Sequence, residues 1–245
     1  MKISKLNGLI LLICMLFSQE IQTPAYTYKG GWPVNPRSDE IVDPGFDLPC
    51  PGPIGCECRS DADCENQNCS SHPKGNYCIP KPGDLIPRFE AIDQFGESVD
   101  LYDFANQGKM ILIELCGAWA KPCNDFSSWL TSNDQKIKEY RWWKDRYFPI
   151  RDMIKKGEIF MVNFMYEGID KINKVNATPN DVITWYNKYP DPHVPIIADE
   201  YRFIHSWVKP TGLPCIFLVD EKMHLINYTS RGLTDAFLYL TEPSK

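Results

Sequence analysis

The feature that most constrains the fold of this chain is an apolar run that ends in a short turn containing tryptophan, proline and cysteine. Met110–Cys116 is apolar except for Glu114, and the sequence Trp-Ala-Lys-Pro-Cys follows at positions 119–123. A short and nearly continuous apolar run is typical of a strand buried on both faces, at the centre of a sheet. Pro122 suits the first turn of a helix, where its missing N–H is not needed. The segment therefore predicts a central strand that leads directly into a helix.

Strand and helix patterns alternate through the rest of the chain, which predicts an α/β fold. Ile159–Tyr166 is a second apolar run of the kind found in buried strands. Thr178 and Pro179 form a helix start, with threonine as the N-cap and proline at the first helical position. The other predicted elements are a hairpin at 89–101, a helix over 137–156 broken at Pro149, a strand at 195–199, a helix at 200–208, an antiparallel hairpin at 215–228 and a closing helix at 233–240. A strand–helix–strand crossover followed by a hairpin implies a mixed central sheet flanked by helices.

The order and spacing of these elements resemble the thioredoxin fold. The segment 119–123 is similar to the Trp-Cys-x-Pro-Cys turn of thioredoxins, with Ala120 in place of the first cysteine. The stretch 84–109, which begins Asp-Leu-Ile-Pro, resembles the entry of the extracytoplasmic redoxin and TlpA-like branch. The resemblance covers about residues 84–245 and implies thiol–disulfide chemistry on a protein thiol or disulfide, or on another polypeptide partner.

The resemblance also assigns roles to individual residues. It implies that Cys123 lies in the first helical turn, where unpaired N–H groups and the helix dipole favour a thiolate. It further implies that Pro214 is a cis-proline beside the cysteine, and that Glu114 is a buried acid that accepts a proton from it. Burial in an apolar strand should raise the pKa of this carboxyl, which suits a general base. The substrate-binding residues that the resemblance implies are Trp119, Leu213, Pro214 and Cys215.

Three cysteines of this region, Cys116, Cys123 and Cys215, leave the chemistry open. Because strand side chains alternate, Cys116 shares a face with Glu114, and the resemblance directs that face toward Cys123. Cys215 follows Pro214 and would begin the neighbouring strand, within bonding range of the other two sulfurs. A Cys116–Cys123 or Cys116–Cys215 disulfide would be either a relocated redox centre or a structural disulfide without redox function. The alternative is that Cys116 and Cys215 are small core residues.

Because Ala120 removes the usual nucleophile, three functions remain as hypotheses. The first is a thiol–disulfide oxidoreductase-like protein with an atypical site that contains Cys116, Cys123 and Glu114. The second is a catalytically silent domain that binds an extended polypeptide. The third is a peroxidase, because the reactive cysteine of peroxiredoxins resembles Cys123 in its position, although Ala120 lacks the hydroxyl that those proteins carry three residues earlier.

Six further cysteines are concentrated in one short segment of the chain. They are Cys50, Cys56, Cys58, Cys64, Cys69 and Cys78. Ile54 is the only Val, Leu or Ile between the first and last of them, so disulfides must hold the segment together in an oxidising compartment. The sequence does not select a connectivity. Asp61, Asp63 and Glu65 lack the glycine and distal glutamate of a calcium loop, and no metal site is expected.

The chain divides into four predicted parts. Residues 1–25 are a signal peptide with two lysines before an apolar stretch, and residues 26–49 are a flexible tether rich in proline and glycine. Residues 50–82 form the disulfide-rich module, and residues 83–245 the thioredoxin-like domain. The protein is therefore expected to be periplasmic or extracellular, with lipid anchoring at Cys14 a minor alternative.

The net charge of −6 and the lack of a basic stripe argue against a nucleic-acid partner. No apolar segment beyond the signal peptide has the length of a membrane span, and no motif predicts a cofactor. The sequence leaves the oligomeric state open.

Overall fold

A computed structural model of the protein describes residues 26–41, 49–170 and 172–242. The predicted signal peptide, with Cys14, lies outside these residues. The strands are β1 (Cys69–His72), β2 (Gly75–Cys78), β3 (Glu90–Ile92), β4 (Ser98–Asp100), β5 (Ile111–Gly117), β6 (Phe160–Glu167), β7 (Ile196–Ala198), β8 (Cys215–Val219) and β9 (Leu225–Asn227). The α-helices are α1 (Lys121–Ser132), α2 (Phe148–Lys155), α3 (Pro179–Lys188), α4 (Phe203–Val208) and α5 (Thr234–Thr241). Across the described ranges, no helix has the length and apolar character needed to cross a membrane.

The centre of the molecule is a five-stranded mixed sheet with the strand order β7-β6-β5-β8-β9. β5 runs parallel to β6 and antiparallel to β8, so that Ile113 lies opposite Val162 on one side and Phe217 on the other. Every residue of β5 is buried, which explains why this strand has an almost unbroken apolar sequence. The arrangement is the predicted α/β thioredoxin fold, with helices on a mixed sheet.

Helices cover both faces of the sheet. On one face, α1, α2 and α5 pack Phe126, Ile150 and Phe237 into a core with Leu112 of β5. The opposite face is covered by α4 and by the β3–β4 hairpin, which contribute to a second core that contains Ile113. Alternate residues of β5 therefore enter different cores, as the period of a strand requires.

The segment 137–156 does not form the long helix that its sequence predicts. Short 3-10 turns occupy Gln135–Glu139 and Asp145–Tyr147, and α2 begins only at Phe148. Pro149 stands in the first turn of α2, where a proline leaves no hydrogen bond unmade. The proline therefore marks the start of a helix rather than a break in one.

The predicted disulfide-rich module contains three disulfides and a small hairpin of β1 and β2. The bonds join Cys50 to Cys56, Cys58 to Cys69 and Cys64 to Cys78. The module packs against α4: a Cβ on Gly55, which has φ of +96°, would lie 3.2 Å from the carbonyl oxygen of Ser206. The sulfurs of Cys58, Cys64 and Cys78 cluster, but each is bonded in a disulfide and offers no thiolate to a metal.

Residues 26–41 differ from the flexible tether expected over 26–49, because they are packed against the main domain. Tyr28 and Trp32 are buried in the core around β3 and β4. The Trp32 indole donates to Asp93 Oδ2 at 2.9 Å, and the Tyr28 hydroxyl donates to Asp103 Oδ2 at 2.6 Å. Residues 42–48 lie outside the described residues.

Candidate active site

The turn between β5 and α1 is held by the side chain of one residue in the first turn of that helix. Asn124 Nδ2 donates to the carbonyl oxygens of Ala118 and Ala120 at 3.0 and 2.9 Å. Asn124 Oδ1 accepts from Lys188 Nζ and from the Tyr189 hydroxyl, both at 2.9 Å, which ties the turn to α3. Ala120 is the N-cap of α1 and provides no side-chain cap, so the first amides of the helix lack this partner.

Cys116 and Cys123 lie together below this turn. Cys116 belongs to β5 and Cys123 to the first turn of α1, and both side chains are fully buried. Their thiols are in hydrogen-bonding contact, and both are free rather than joined in the disulfide that is one of the sequence predictions. Burial raises the pKa of the Cys116 thiol well above its ordinary value, and the neighbouring Cys123 raises it further.

Cys215 is not part of this pair. It lies opposite Leu115 in the antiparallel β5–β8 ladder and shares the core of Leu115, while Cys116 points to the other face of the sheet. Its sulfur contacts the carbonyl oxygen of Thr229 at 3.2 Å, and burial raises the pKa of its thiol. The possible Cys116–Cys215 bond is therefore not formed, because the strand register places the two side chains on opposite faces of the sheet, and the substrate-binding role of Cys215 stays a prediction.

Glu114 is the buried acid that the sequence predicts. Its side chain is fully buried, and this burial raises the pKa of the carboxyl to about 8. Asn163 lies opposite it on β6 and donates from Nδ2 to Glu114 Oε2 at 2.7 Å. Among the described residues, Glu114 Oε1 and Asn163 Oδ1 have no hydrogen-bond partner. Asn163 is the only amide side chain within the second apolar run, and this position in the sequence could have predicted a buried polar partner for Glu114.

A cavity of about 540 Å³ opens beside the turn. Trp119, Ala120 and Leu213 form part of its wall, so the structure brings together two of the predicted substrate-binding residues. Pro214 follows in a cis peptide bond with Leu213 and is buried. The other aromatic and charged lining residues are Lys74, Tyr166, Glu167, Lys174, Arg202 and His205. None of the three free cysteines lines this cavity.

Glu167 lines the cavity and contacts two other lining residues, Trp119 and Arg202. Glu167 is not among the site residues predicted from the sequence. Its Oε2 accepts from Trp119 Nε1 at 2.7 Å, and its Oε1 lies 2.9 Å from Arg202 Nη2. β5 and β6 are parallel, so the residues that follow them meet at the same edge of the sheet. The position of Glu167 directly after the apolar run 159–166 was therefore a usable signal.

Comparisons with known proteins found similarity among solved structures only. No protein-family model matches the chain, and no curated protein matches it. Among solved structures, the chain is similar to a thioredoxin domain of a thiol-disulfide oxidoreductase from Bacteroides vulgatus, with 18% identity, coverage of 66% of this chain and 98% of that chain, and a TM-score of 0.44. It is also similar to a thiol:disulfide interchange protein from Bacteroides sp., with 18% identity, 68% and 93% coverage and a TM-score of 0.45. A pneumococcal exposed lipoprotein thioredoxin from Streptococcus pneumoniae matches with 16% identity, 64% and 99% coverage and a TM-score of 0.43.

Proposed function

We propose that the protein is an exported thiol–disulfide oxidoreductase-like protein whose redox pair is Cys116 and Cys123. The observation that carries the proposal is the contact between these two sulfurs on the face that also holds the buried acid Glu114. Ala120 removes the thiol that would pair across the turn, and Cys116 supplies another from the preceding strand. Export is supported by the apolar N-terminal segment and by three disulfides, which persist in oxidising compartments.

The proposed reaction reduces a disulfide of a partner polypeptide. One cysteine thiolate attacks that disulfide and displaces a partner thiolate, leaving a mixed disulfide. The second cysteine attacks the mixed disulfide, so the Cys116 Sγ–Cys123 Sγ bond forms and the second partner thiolate leaves. Two electrons pass from the pair to the partner, and the two protons of the pair end on the partner thiols. Because both thiols are buried, the turn has to move aside for the partner disulfide.

Glu114 would act as the proton acceptor of this reaction. With a pKa of about 8, its carboxyl is mostly protonated at pH 7 and becomes a base only as the pH approaches and passes 8. The proposal therefore includes a reaction rate that rises between pH 7 and 9 and that is lower in Glu114→Gln, because that variant keeps the titrating thiols but lacks the proton acceptor.

The test is mass-spectrometric mapping of cysteine states in the mature protein, with alkylation before and after reduction at known potentials. A Cys116–Cys123 bond that reduces between about −120 and −270 mV supports the proposal, because known thiol–disulfide catalysts fall there. Cys116→Ser should abolish this transition, and Cys215→Ser should leave it unchanged, because Cys215 lies on the other face of the sheet. A pair that never forms a bond under oxidation contradicts the proposal.

A catalytically silent, polypeptide-binding domain is the second candidate. It is favoured by the full burial of all three thiols and by the position of Ala120 in the wall of the cavity. Thiols that resist alkylation at every potential would select this function. The peroxidase hypothesis has less support, because a buried Cys123 is shielded from peroxide and Ala120 provides no hydroxyl.

A further inference from the structure

The cavity beside Ala120 carries positive charge that its own carboxylate does not neutralise. Lys74, Lys174 and Arg202 line it, and Glu167 is the single acid among the lining residues. Arg202 is paired with Glu167, and the Trp119 indole occupies the other carboxylate oxygen. Within the described part of the chain, neither lysine ammonium has a carboxylate oxygen within 4.0 Å. Two cationic side chains at the cavity are therefore left without an acidic partner.

Neighbouring basic groups extend this positive surface. Lys209 Nζ lies 4.5 Å from the centre of the Tyr77 ring, next to the hairpin turn that carries Lys74. Burial, together with nearby cations that include Arg202 and Lys209, lowers the pKa of His205 to about 4, so this histidine is neutral at pH 7. The molecule as a whole has a net charge of −6, so the surface is opposite in sign to the rest of the protein.

The shape and remaining walls of the cavity suit a stretch of polypeptide. Its volume of about 540 Å³ falls within the ~300–1,000 Å³ typical of sites that enclose an organic ligand. Trp119, Tyr166 and Leu213 give it aromatic and aliphatic walls between the cationic groups. Ala120 and Pro122 bring the start of α1 to the same wall, where the helix dipole adds to the positive potential.

We propose that this cavity binds an acidic segment of a partner polypeptide, with Lys74 and Lys174 recognising its carboxylates. The inference deepens the proposed function by naming the class of partner, and it rests on that function for the choice of a polypeptide over a free anion. Binding itself requires no redox step. Carboxylates of the segment would pair with these lysines, and the positive potential of the cavity would steer acidic chains to the site.

The same inference gives the disulfide-rich module a role at the site. Lys74 stands in the turn between β1 and β2, and the Cys58–Cys69 and Cys64–Cys78 bonds anchor this hairpin to the rest of the module. The close approach of Gly55 to Ser206, where an added Cβ would lie 3.2 Å from the carbonyl oxygen, and the contact of Lys209 with the Tyr77 ring place the module against α4 and the residue after it. The module thereby contributes a charge to a cavity that the thioredoxin-like domain otherwise lines alone.

The test is fluorescence anisotropy with the full mature chain and three labelled peptides of equal length, which share their apolar residues and are acidic, neutral or basic. We expect the acidic peptide to bind at least about tenfold more tightly than the neutral one at low salt, and its affinity to fall as salt is added. The double variant Lys74→Glu/Lys174→Glu should weaken acidic-peptide binding at least about tenfold. The control Lys156→Glu/Lys222→Glu has the same net charge and changes exposed lysines away from the cavity, so it should bind like the unmodified protein.

Three results would overturn the inference. One is equal affinity for the acidic and basic peptides, and another is unchanged binding in Lys74→Glu/Lys174→Glu while circular dichroism shows an intact fold. The third is displacement of the peptide by succinate or inorganic phosphate at concentrations similar to its own, which would assign the site to small anions.

Cys116→Ser separates this inference from the proposed function, because it removes the redox pair and should still bind the acidic peptide. Acidic-peptide binding without any Cys116–Cys123 bond would support the inference and contradict only the redox proposal.

Discussion

At the scale of single residues, Glu114 couples the stability of the protein to pH. Its carboxyl has a pKa of about 8 in the folded protein, against 4.5 as the ordinary value. Between these two pH values the folded protein keeps the proton, whereas the unfolded chain releases it. The free energy of unfolding therefore falls as the pH rises through this interval, by the linkage between proton binding and stability.

Glu114→Gln removes this titration, since glutamine stays neutral at every pH. We expect the variant to match the unmodified protein near pH 4.5 and to be more stable near pH 8 by ~1–4 kcal/mol, as a shift of this size implies. Urea unfolding at pH 4.5, 6 and 8 measures the difference. Glu158→Gln changes an exposed glutamate and serves as the control. A constant difference between Glu114→Gln and the unmodified protein at all three pH values would contradict the interpretation.

A substitution at Ala120 tests whether the turn before α1 can still present a thiol to a substrate. The residue is the N-cap of α1 and lines the cavity, so a thiol introduced there would meet both the helix dipole and an incoming partner. Ala120→Cys should raise the reduction rate of a disulfide-containing peptide at least about tenfold, because each unit by which the thiol pKa falls gives about a tenfold rise in thiolate. Ala120→Ser is the control and should leave the rate unchanged. No gain in the cysteine variant would show that the turn does not present position 120 to substrates.

At the scale of secondary-structure elements, the start of α3 determines how the buried thiols are covered. Thr178 caps the helix: its hydroxyl accepts from the Asp181 amide at 3.3 Å, and Asp181 Oδ2 accepts from the Thr178 amide at 2.9 Å. α3 then packs Val182 and Trp185 into the cluster that contains Cys116 and Cys123. The cap therefore supports the cover of the candidate site as well as the helix.

Thr178→Ala should lower the free energy of unfolding by about 0.5–2 kcal/mol, the usual cost of losing an N-cap side chain. Alkylation of Cys123 should also become faster, because the loosened α3 uncovers the thiol cluster more often. Urea unfolding and timed alkylation measure the two effects, and Thr178→Ser, which keeps the hydroxyl, should restore both. Faster alkylation in the serine variant as well would mean that the cap is not the cause.

The sequence was sufficient to predict the elements whose pattern is local. β5 and β6 are buried on both faces and therefore have apolar runs that only Glu114 and Asn163 interrupt internally, and α3 has its own threonine–proline start signal. The helix predicted over 137–156 is wrong up to Tyr147, because α2 begins only at Phe148. Trp143 lies between two 3-10 turns, outside any helix, and packs against Trp129 with ring centres 4.8 Å apart.

Some residues of the candidate site could likewise be predicted from the sequence, whereas others depend on contacts between distant parts of the chain. Burial of Glu114 could be predicted from its place in an apolar run, and the cis form of Pro214 from the resemblance to thioredoxins. The face of Cys215 could not, because it depends on the register of β8 against β5, which pairs Cys215 with Leu115. The pairing of Glu167 with Arg202 joins residues 35 positions apart, and no short motif encodes it.

At the scale of the whole molecule, residues that precede position 83 pack against the central sheet and its helices. The disulfide-rich module brings Lys74 to the cavity, and residues 26–41 cover the core around β3 and β4. Both arrangements depend on contacts between residues that are far apart in the chain, such as Trp32 with Asp93. A sequence rich in proline and glycine predicts an extended path for such a segment, but it does not reveal that two aromatic side chains anchor it.

The buried carboxylate of Asp93 is the anchor of this N-terminal segment. Its Oδ1 accepts from the amides of Phe95 and Glu97 at 2.8 and 3.0 Å, and its Oδ2 accepts from the Trp32 indole at 2.9 Å. Trp32→Phe keeps an aromatic ring but leaves Oδ2 without the indole donor in a buried place. Such a loss costs about 1–3 kcal/mol, more when the group is charged.

We therefore expect Trp32→Phe to lower the free energy of unfolding by at least about 1 kcal/mol and to make the N-terminal segment more sensitive to protease. Tyr26→Phe is the matched control, since its hydroxyl makes an exposed contact with Glu97 at 3.3 Å, and it should change neither quantity. Limited proteolysis followed by mass spectrometry locates the cuts, and urea unfolding gives the energy. If Trp32→Phe is as stable and as resistant as Tyr26→Phe, the segment does not depend on Asp93, and residues 26–41 behave as the tether that their composition predicts.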